Sequence, residues 1–447
     1  MTSSEPRNPA SARDIRMVVL SSVLGTTIEW YDFFLYGMAA GLVFGRLHFP
    51  ADDPVVATLL AFASFAVGFL ARPLGGLLFG HIGDRIGRKR TLVSTMTIMG
   101  AATCLIGLVP TYASIGLLAP LLLVACRVAQ GMAIGGEWGG AVLLAVEYAG
   151  PRRKGLYGSW PQVGLALGLL LGTGTFLLLS TAMGEAAFLA YGWRIAFLLS
   201  ALLVIVGLVV RLKVVETPAF AAMRSRQRAS AVPALDLLRN SLGRRHLLLG
   251  MGSRLAEGVA FNTWSVFVLS YGVETLGLRR SDLLAVVLAC SAVMVVLIPL
   301  FGHAADRCSP RRVFALGALL FTALVLPVFG AFETRSIAAI AIAMLVVFGI
   351  AYPVMYGPQA ALYCSLFPTG VRYTGISLVY QLSGTVASGL TPLILTGLLA
   401  LGGTPWLVVG YLALTGAVST ACTLAMRPAD LASPTGAPSS EAAELRP

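Results

Sequence analysis

Eight charged residues stand inside stretches of this chain that are otherwise apolar enough to cross a membrane: Glu29, Asp32, Arg72, Arg127, Glu137, Glu147, Arg254 and Glu257. An ionised side chain at the bilayer centre costs roughly 2.5–3.5 kcal/mol on the lenient insertion scale. Eight facing lipid would cost on the order of 20 kcal/mol, so most are expected to face a protein interior or a wet cavity. Five acids and three arginines in one buried space point to two tasks, proton handling and the binding of a charged solute.

Their spacing groups them. At 100° per residue, Glu29, Asp32 and Tyr36 fall within about 60° on one helix face. Two carboxylates this close do not ionise independently, so the pair is poised to take up a proton. Pairing of each acid with an arginine of another helix is the alternative. Arg127, Gln130, Ile134 and Glu137 fall within about 80° of one another and span about 15 Å of helix. Glu137 is a second proton candidate with Arg127 beside it, and Trp138 follows as an aromatic wall. The alternative there is an ion-pair network that only holds helices together. Glycines at 135, 136, 139 and 140 would let a neighbouring helix come close. Arg72 either contacts solute or pairs with an acid of the first or fourth span. Arg254, with Asn262 somewhat off its face, is the candidate carboxylate contact in the second half. A local ion pair with Glu257, three residues on, is its alternative. Glu147 fits a gate or loop contact.

The elements that must position these residues are membrane helices. The chain has 447 residues, 57% hydrophobic and only 12% charged, with a mean hydropathy of +0.84. A soluble domain carries about 25% charged residues. Twelve apolar spans follow one another near 17–45, 55–80, 91–110, 115–149, 155–180, 193–213, 247–271, 282–302, 313–330, 337–364, 373–400 and 406–426. The first is long and carries two acids, so it is expected to be a retained helix and not a cleaved signal. A disordered N-terminus (1–15), a six-helix bundle (16–213), a linker rich in arginine (214–246), a second six-helix bundle (247–427) and a disordered tail (428–447) complete the organisation. The net charge of +12 follows the loops. Arg85, Arg88, Lys89 and Arg90, then Arg152, Arg153 and Lys154, then Arg307, Arg311 and Arg312 fall on one side with the central linker. The other side has only Arg46, Arg194, Arg279, Arg280 and Arg335. The positive-inside rule therefore places both termini in the cytoplasm, and the charge is no sign of nucleic-acid binding. Six scattered cysteines and four histidines show no metal or disulfide spacing. Prolines 73, 161, 353, 358 and 392 sit inside spans, and a bend around Tyr356 is weighed against ordinary helix curvature.

The halves echo each other. Gly80-His-Ile-Gly-Asp84-Arg85 ends the second span and Gly302-His-Ala-Ala-Asp306-Arg307 ends the eighth. Such duplication implies two related bundles with a site between them that opens alternately to each side. The full run Gly80 to Arg90, with Asp84, Arg85, Gly87 and Arg88 in place, resembles the signature loop of the major facilitator superfamily. Asp84 suits a helix N-terminus, where the dipole is positive, and the resemblance implies that it latches one conformation across the two halves. Arg127-x-x-Gln130-Gly131 resembles the superfamily motif linked to proton transfer.

More specific patterns are Gly25-Thr-Thr-Ile-Glu-Trp-Tyr-Asp-Phe-Phe-Leu-Tyr-Gly37, Arg72-Pro-Leu-Gly-Gly, Gly135-Gly-Glu-Trp-Gly-Gly-Ala and Phe367-Pro-Thr-Gly-Val-Arg-Tyr-Thr-Gly375. With these the chain resembles the metabolite:proton symporter family of bacterial secondary transporters over residues 16–427. The resemblance implies an all-α polytopic protein of two pseudo-symmetric six-helix bundles, and proton-coupled uptake of a small organic acid or a betaine-like or amino-acid-like zwitterion at the inner membrane. It also implies no cofactor beyond the proton gradient. A monomer is expected, surrounded by lipid. No phosphate-binding loop of the ATPase kind occurs, nor any nucleophile–base or metal motif, so an ATP-driven pump or an enzyme is not expected. A proton-linked exporter, a uniporter and a non-transporting sensor are the alternatives.

Overall fold

A computed structural model describes residues 12–86, 88–135, 142–143, 145–146, 149, 152–215, 237–368 and 371–426. Among the described residues, twelve long helices follow in order. They are α1 (Ala12–Ala39), α2 (Pro54–Ile86), α3 (Arg88–Leu108), α4 (Leu118–Ile134), α5 (Lys154–Ala187), α6 (Trp193–Val215) and α7 (Ser241–Asn262). Then come α8 (Arg280–Arg307), α9 (Pro310–Glu333), α10 (Ile337–Leu366), α11 (Arg372–Gly402) and α12 (Trp406–Ala425). Among the described residues, seven stretches are long and apolar enough to cross a bilayer, and one of these joins α5 to α6. α1 and α7 fall outside that set. They carry Glu29, Asp32, Arg254 and Glu257, and these side chains are buried inside the protein.

Several helices are interrupted by π-helical turns. One closes α1 (Ala40–Phe44) and one extends α7 (Thr263–Phe267). Others lie inside α10 (Leu345–Ala351) and α11 (Thr385–Gly389). In the last two a proline follows within one turn, Pro353 and Pro392. A proline has no N–H to bond the carbonyl four residues back, so the ladder shifts to a wider turn. The irregularity of α10 thus precedes Pro353, while Pro73, Pro161 and Pro358 sit within continuous helices.

Glycine seams set how closely helices approach. A Cβ on Gly131 of α4 would stand 2.0 Å from the carbonyl oxygen of Gly68 on α2. Only glycine there lets α2 and α4 touch backbone to backbone, which brings Arg72 and Arg127 to neighbouring positions. The same device joins the halves: a Cβ on Gly155 of α5 would stand 2.2 Å from the Gly302 carbonyl oxygen on α8. α5 packs along α8 and α10, α2 along α11, and α1 meets α7. These contacts frame a central space between the bundles.

Candidate functional site

The central space is a small pocket lined by Glu29, Trp30 and Phe33 of α1, Arg72 of α2, Ile134 of α4, and Tyr380 and Gln381 of α11. Its volume is about 20 Å³, room for water and not for a metabolite. Contacts between the two halves flank it on both sides. At the end of the bundle where α8 closes, Gly155 and Leu156 donate their backbone N–H groups to Asp306 Oδ1 and Oδ2 at 2.6 and 2.9 Å. Beside the pocket, Gln381 Nε2 donates to the Gly135 carbonyl at 2.6 Å. On the other side of the pocket, Phe34 packs on Phe261 with ring centroids 4.9 Å apart. Beyond them, Arg46 pairs with Glu274 and Arg280 with Glu185, each at 3.1 Å.

Arg72 is buried, and among the described residues its guanidinium makes no hydrogen bond or ion pair. It lies over the faces of Phe69 (4.2 Å) and Phe33 (5.2 Å). The aromatic quadrupoles partly stand in for lost hydration, and the donors remain available to a ligand in the pocket. Glu29 lines the same space and is buried.

Asp32 is buried deeper, 1% exposed, and does not line the pocket. It accepts from Thr103 Oγ1 of α3 at 2.9 Å. Thr103 Oγ1 accepts from Gln130 Nε2 at 2.7 Å, and Gln130 Oε1 accepts from Arg127 Nη1 at 3.1 Å. Arg127 therefore reaches Asp32 through two intermediates. Its guanidinium also lies 4.5 Å over the Tyr36 ring and 5.0 Å over Phe65. Tyr36 and Ser64 share a hydrogen bond at 2.7 Å through their hydroxyls. Glu29 and Asp32 remain within electrostatic reach of one another, as the spacing of α1 implies.

In the second half, Arg254 Nε lies 3.3 Å from Glu257 Oε2, the local pair that the three-residue spacing allowed. Arg254 also donates to the Tyr380 carbonyl and to Ser383 Oγ, and sits 3.7 Å over the Tyr380 ring. Glu257 further accepts from Tyr352 (2.8 Å) and Gln359 (3.2 Å). Asn262 Nδ2 donates to the Gly258 carbonyl on its own helix at 3.0 Å. Arg254 and Asn262 thus stand behind the pocket wall and not in it.

Of the residues expected to form the site, the structure brings Glu29 and Arg72 together at the pocket and sets Asp32, Tyr36 and Arg127 in an adjoining network. Glu137, Trp138, Glu147 and Gly87 lie outside the described residues, as do the middle of the linker and most of both chain ends. Gly80, Asp84, Arg85 and Arg88 lie on described helix backbone, and the side chains of the last three lie outside the description. Arg307 is exposed. Sequence reasoning missed Tyr380 and Gln381; their signal was a polar pair in the middle of the apolar eleventh span. It also missed Thr103, a lone hydroxyl in an apolar run.

A family model described as Major Facilitator Superfamily matches residues 22–392 and, overlapping, 259–446. The shikimate transporter of Escherichia coli (strain K12) is 41% identical over 381 residues, covering 85% of this chain and 86% of that protein. The proline/betaine transporter of the same strain is 35% identical over 387 residues, covering 85% of this chain and 77% of that protein. Among solved structures, the crystal structure of a D-xylose-proton symporter superposes with a TM-score of 0.70 at 17% identity, covering 93% of this chain and 97% of that one. That likeness concerns the fold of two six-helix bundles.

Proposed function

The chain belongs to the major facilitator superfamily, and on that premise we propose that it imports a small organic acid together with protons, by alternating access across the inner membrane. The observation that carries this reading is the central pocket lined from both halves, in which Glu29 and Arg72 face one space and Arg72 Nε has no hydrogen-bond partner among the described residues. Shikimate, the solute named for one relative, is a carboxylate of the size such a pocket takes once the halves part.

Arg72 receives the substrate carboxylate, since a guanidinium offers paired donors in a fixed fork. Arg254 lies across Tyr380 from it, within electrostatic reach. An anion held between the two draws the halves together. A proton taken up by Glu29 or Asp32 removes a buried charge and lowers the cost of occlusion; Glu137 is a third candidate, with Arg127 beside it. Trp138 shapes the wall, while Tyr36 supports it from the adjoining network and Asn262 from behind, neither lining the pocket itself. Gly80, Asp84, Arg85, Gly87 and Arg88, with Asp306 and Arg307 in the second half, form the latches that reset the cycle. No cofactor enters this scheme, because the proton gradient supplies the work. The basic loops favour cytoplasmic termini, and one chain contains the whole site.

A zwitterion is the second reading. Glu29, Trp30 and Phe33 beside Arg72 offer a cation and a carboxylate opposite partners in one pocket. Uptake of labelled shikimate, proline and betaine into proteoliposomes under an inward proton gradient, with and without protonophore, tests both. Protonophore-sensitive accumulation of shikimate supports the first reading and that of betaine the second. Accumulation of neither under a gradient, with outward flux instead, overturns import.

A further inference from the structure

Thr103 of α3 is placed to serve both protonation states of Asp32. Its hydroxyl has one proton to give and two lone pairs to receive with. Two acceptors stand at the same distance from Oγ1, Asp32 Oδ2 at 2.9 Å and the Met99 carbonyl, one turn back on α3, at 2.9 Å. A fixed donor, Gln130 Nε2, approaches at 2.7 Å. The orientation of that amide is set by its other end, because Arg127 can only donate and so must face Gln130 Oε1. All three groups are buried.

We propose that Thr103 is the positioning residue of the proton site, a hydroxyl that turns between Asp32 and the Met99 carbonyl as Asp32 loses and gains its proton. This rests on the reading of Asp32 as a proton carrier. With Asp32 ionised, Thr103 donates to it and accepts from Gln130, and each donor in the chain from Arg127 points toward the carboxylate. With Asp32 protonated, the carboxyl donates to Thr103 Oγ1, which still accepts from Gln130 and now donates to Met99. Neither state leaves the hydroxyl unsatisfied, so loading and release need no rearrangement of helices. The remaining charged and titratable groups around Asp32 are Glu29 and Tyr31 of α1, Cys104 of α3 and Arg127 of α4, with the Ser200 hydroxyl of α6 beside them and Arg72 of α2 beyond Arg127. The Ser200 hydroxyl also bears on Asp32, but among the described residues it makes no hydrogen bond to a second acceptor.

The test is the pH profile of initial uptake in proteoliposomes for the wild type, Thr103→Val, Thr103→Ser and Asp32→Asn. Thr103→Val keeps the shape and removes the donor to the ionised form. Half-maximal uptake should then move to higher pH by about one unit, the shift that follows loss of one hydrogen bond to a carboxylate. Thr103→Ser should restore the wild-type profile, which a merely structural threonine would not require. Should Thr103→Val fail to insert, Gln130→Leu breaks the same chain one step earlier and carries the same direction of shift. An unchanged profile in Thr103→Val, or a serine variant displaced as far as the valine, overturns the proposal. If Asp32→Asn keeps the wild-type pH dependence, the assignment of the proton to Asp32 fails instead, and that result is separate from the Thr103 comparison.

Discussion

Asp306, at the end of α8, caps the first turn of α5 in the opposite half, its two carboxylate oxygens accepting the N–H groups of Gly155 and Leu156. An anion at a helix N-terminus meets unsatisfied donors and the positive end of the dipole together. The close approach of Gly155 to Gly302 makes the reach possible. Among the described residues, this cap ties the two halves together at one end of the central pocket.

Asp306→Asn should loosen that side. The amide keeps one acceptor and loses the charge, at about 1–2 kcal/mol. Ser159 lies in the same seam, buried against Gly302. In a background without other reactive cysteines, a Ser159→Cys reporter should label faster from the cytoplasmic side in the Asp306→Asn variant, by roughly 10-fold for 1.4 kcal/mol. Equal labelling would show that the cap does not hold the door.

At the opposite end, charges of the two halves face each other. Arg46 faces Glu274 and also stands 4.0 Å from Glu185, which in turn pairs with Arg280. Arg280 is buried, whereas the pairs made by Arg46 are largely exposed, and exposed pairs are individually weak and screened by salt. Reversal is then more informative than removal. Arg46→Glu should slow uptake by opposing both acids, and adding Glu274→Arg should recover much of the rate. Failure of the double variant to improve on the single one would mean that Arg46 does not work through Glu274.

Arg254 and Arg72 should respond differently to loss of their surroundings. Glu257→Ala leaves Arg254 buried without its carboxylate, a loss of about 3–5 kcal/mol, and should lower the Tm of the purified protein in detergent. Arg72 has no such partner among the described residues. Arg72→Lys should leave the Tm nearly unchanged while raising KM for an organic acid, because a lysine cannot reproduce the fork. A large drop in Tm for Arg72→Lys would make that arginine a structural residue.

Much of this architecture was legible in the sequence for a simple reason. Hydropathy is a property of local stretches, so twelve spans could be counted without knowing how they pack. The repeated Gly–Asp–Arg pattern was also local, and it led to Asp306. Side-chain partners across helices were not legible, because they depend on rotation and register that only packing fixes. The face of α1 joined Glu29, Asp32 and Tyr36, yet α3 and α2 draw Asp32 and Tyr36 aside to Thr103 and Ser64, and Glu29 alone reaches the pocket. Arg254 had two readings at the sequence level, and a 3.3 Å approach to Glu257 shows the local pair. The π-helical turns before Pro353 and Pro392 left no mark beyond the prolines themselves.

Coupling of solute to protons is the central claim, and the most direct measurement needs no imposed gradient. Adding shikimate to weakly buffered proteoliposomes at equal pH on both sides should make the external medium more alkaline as protons enter with the solute. Asp32→Asn should abolish that signal or reduce it strongly while solute exchange persists. Solute entry with no external alkalinisation in the wild type would contradict proton symport and leave the buried acids of α1 with a structural role.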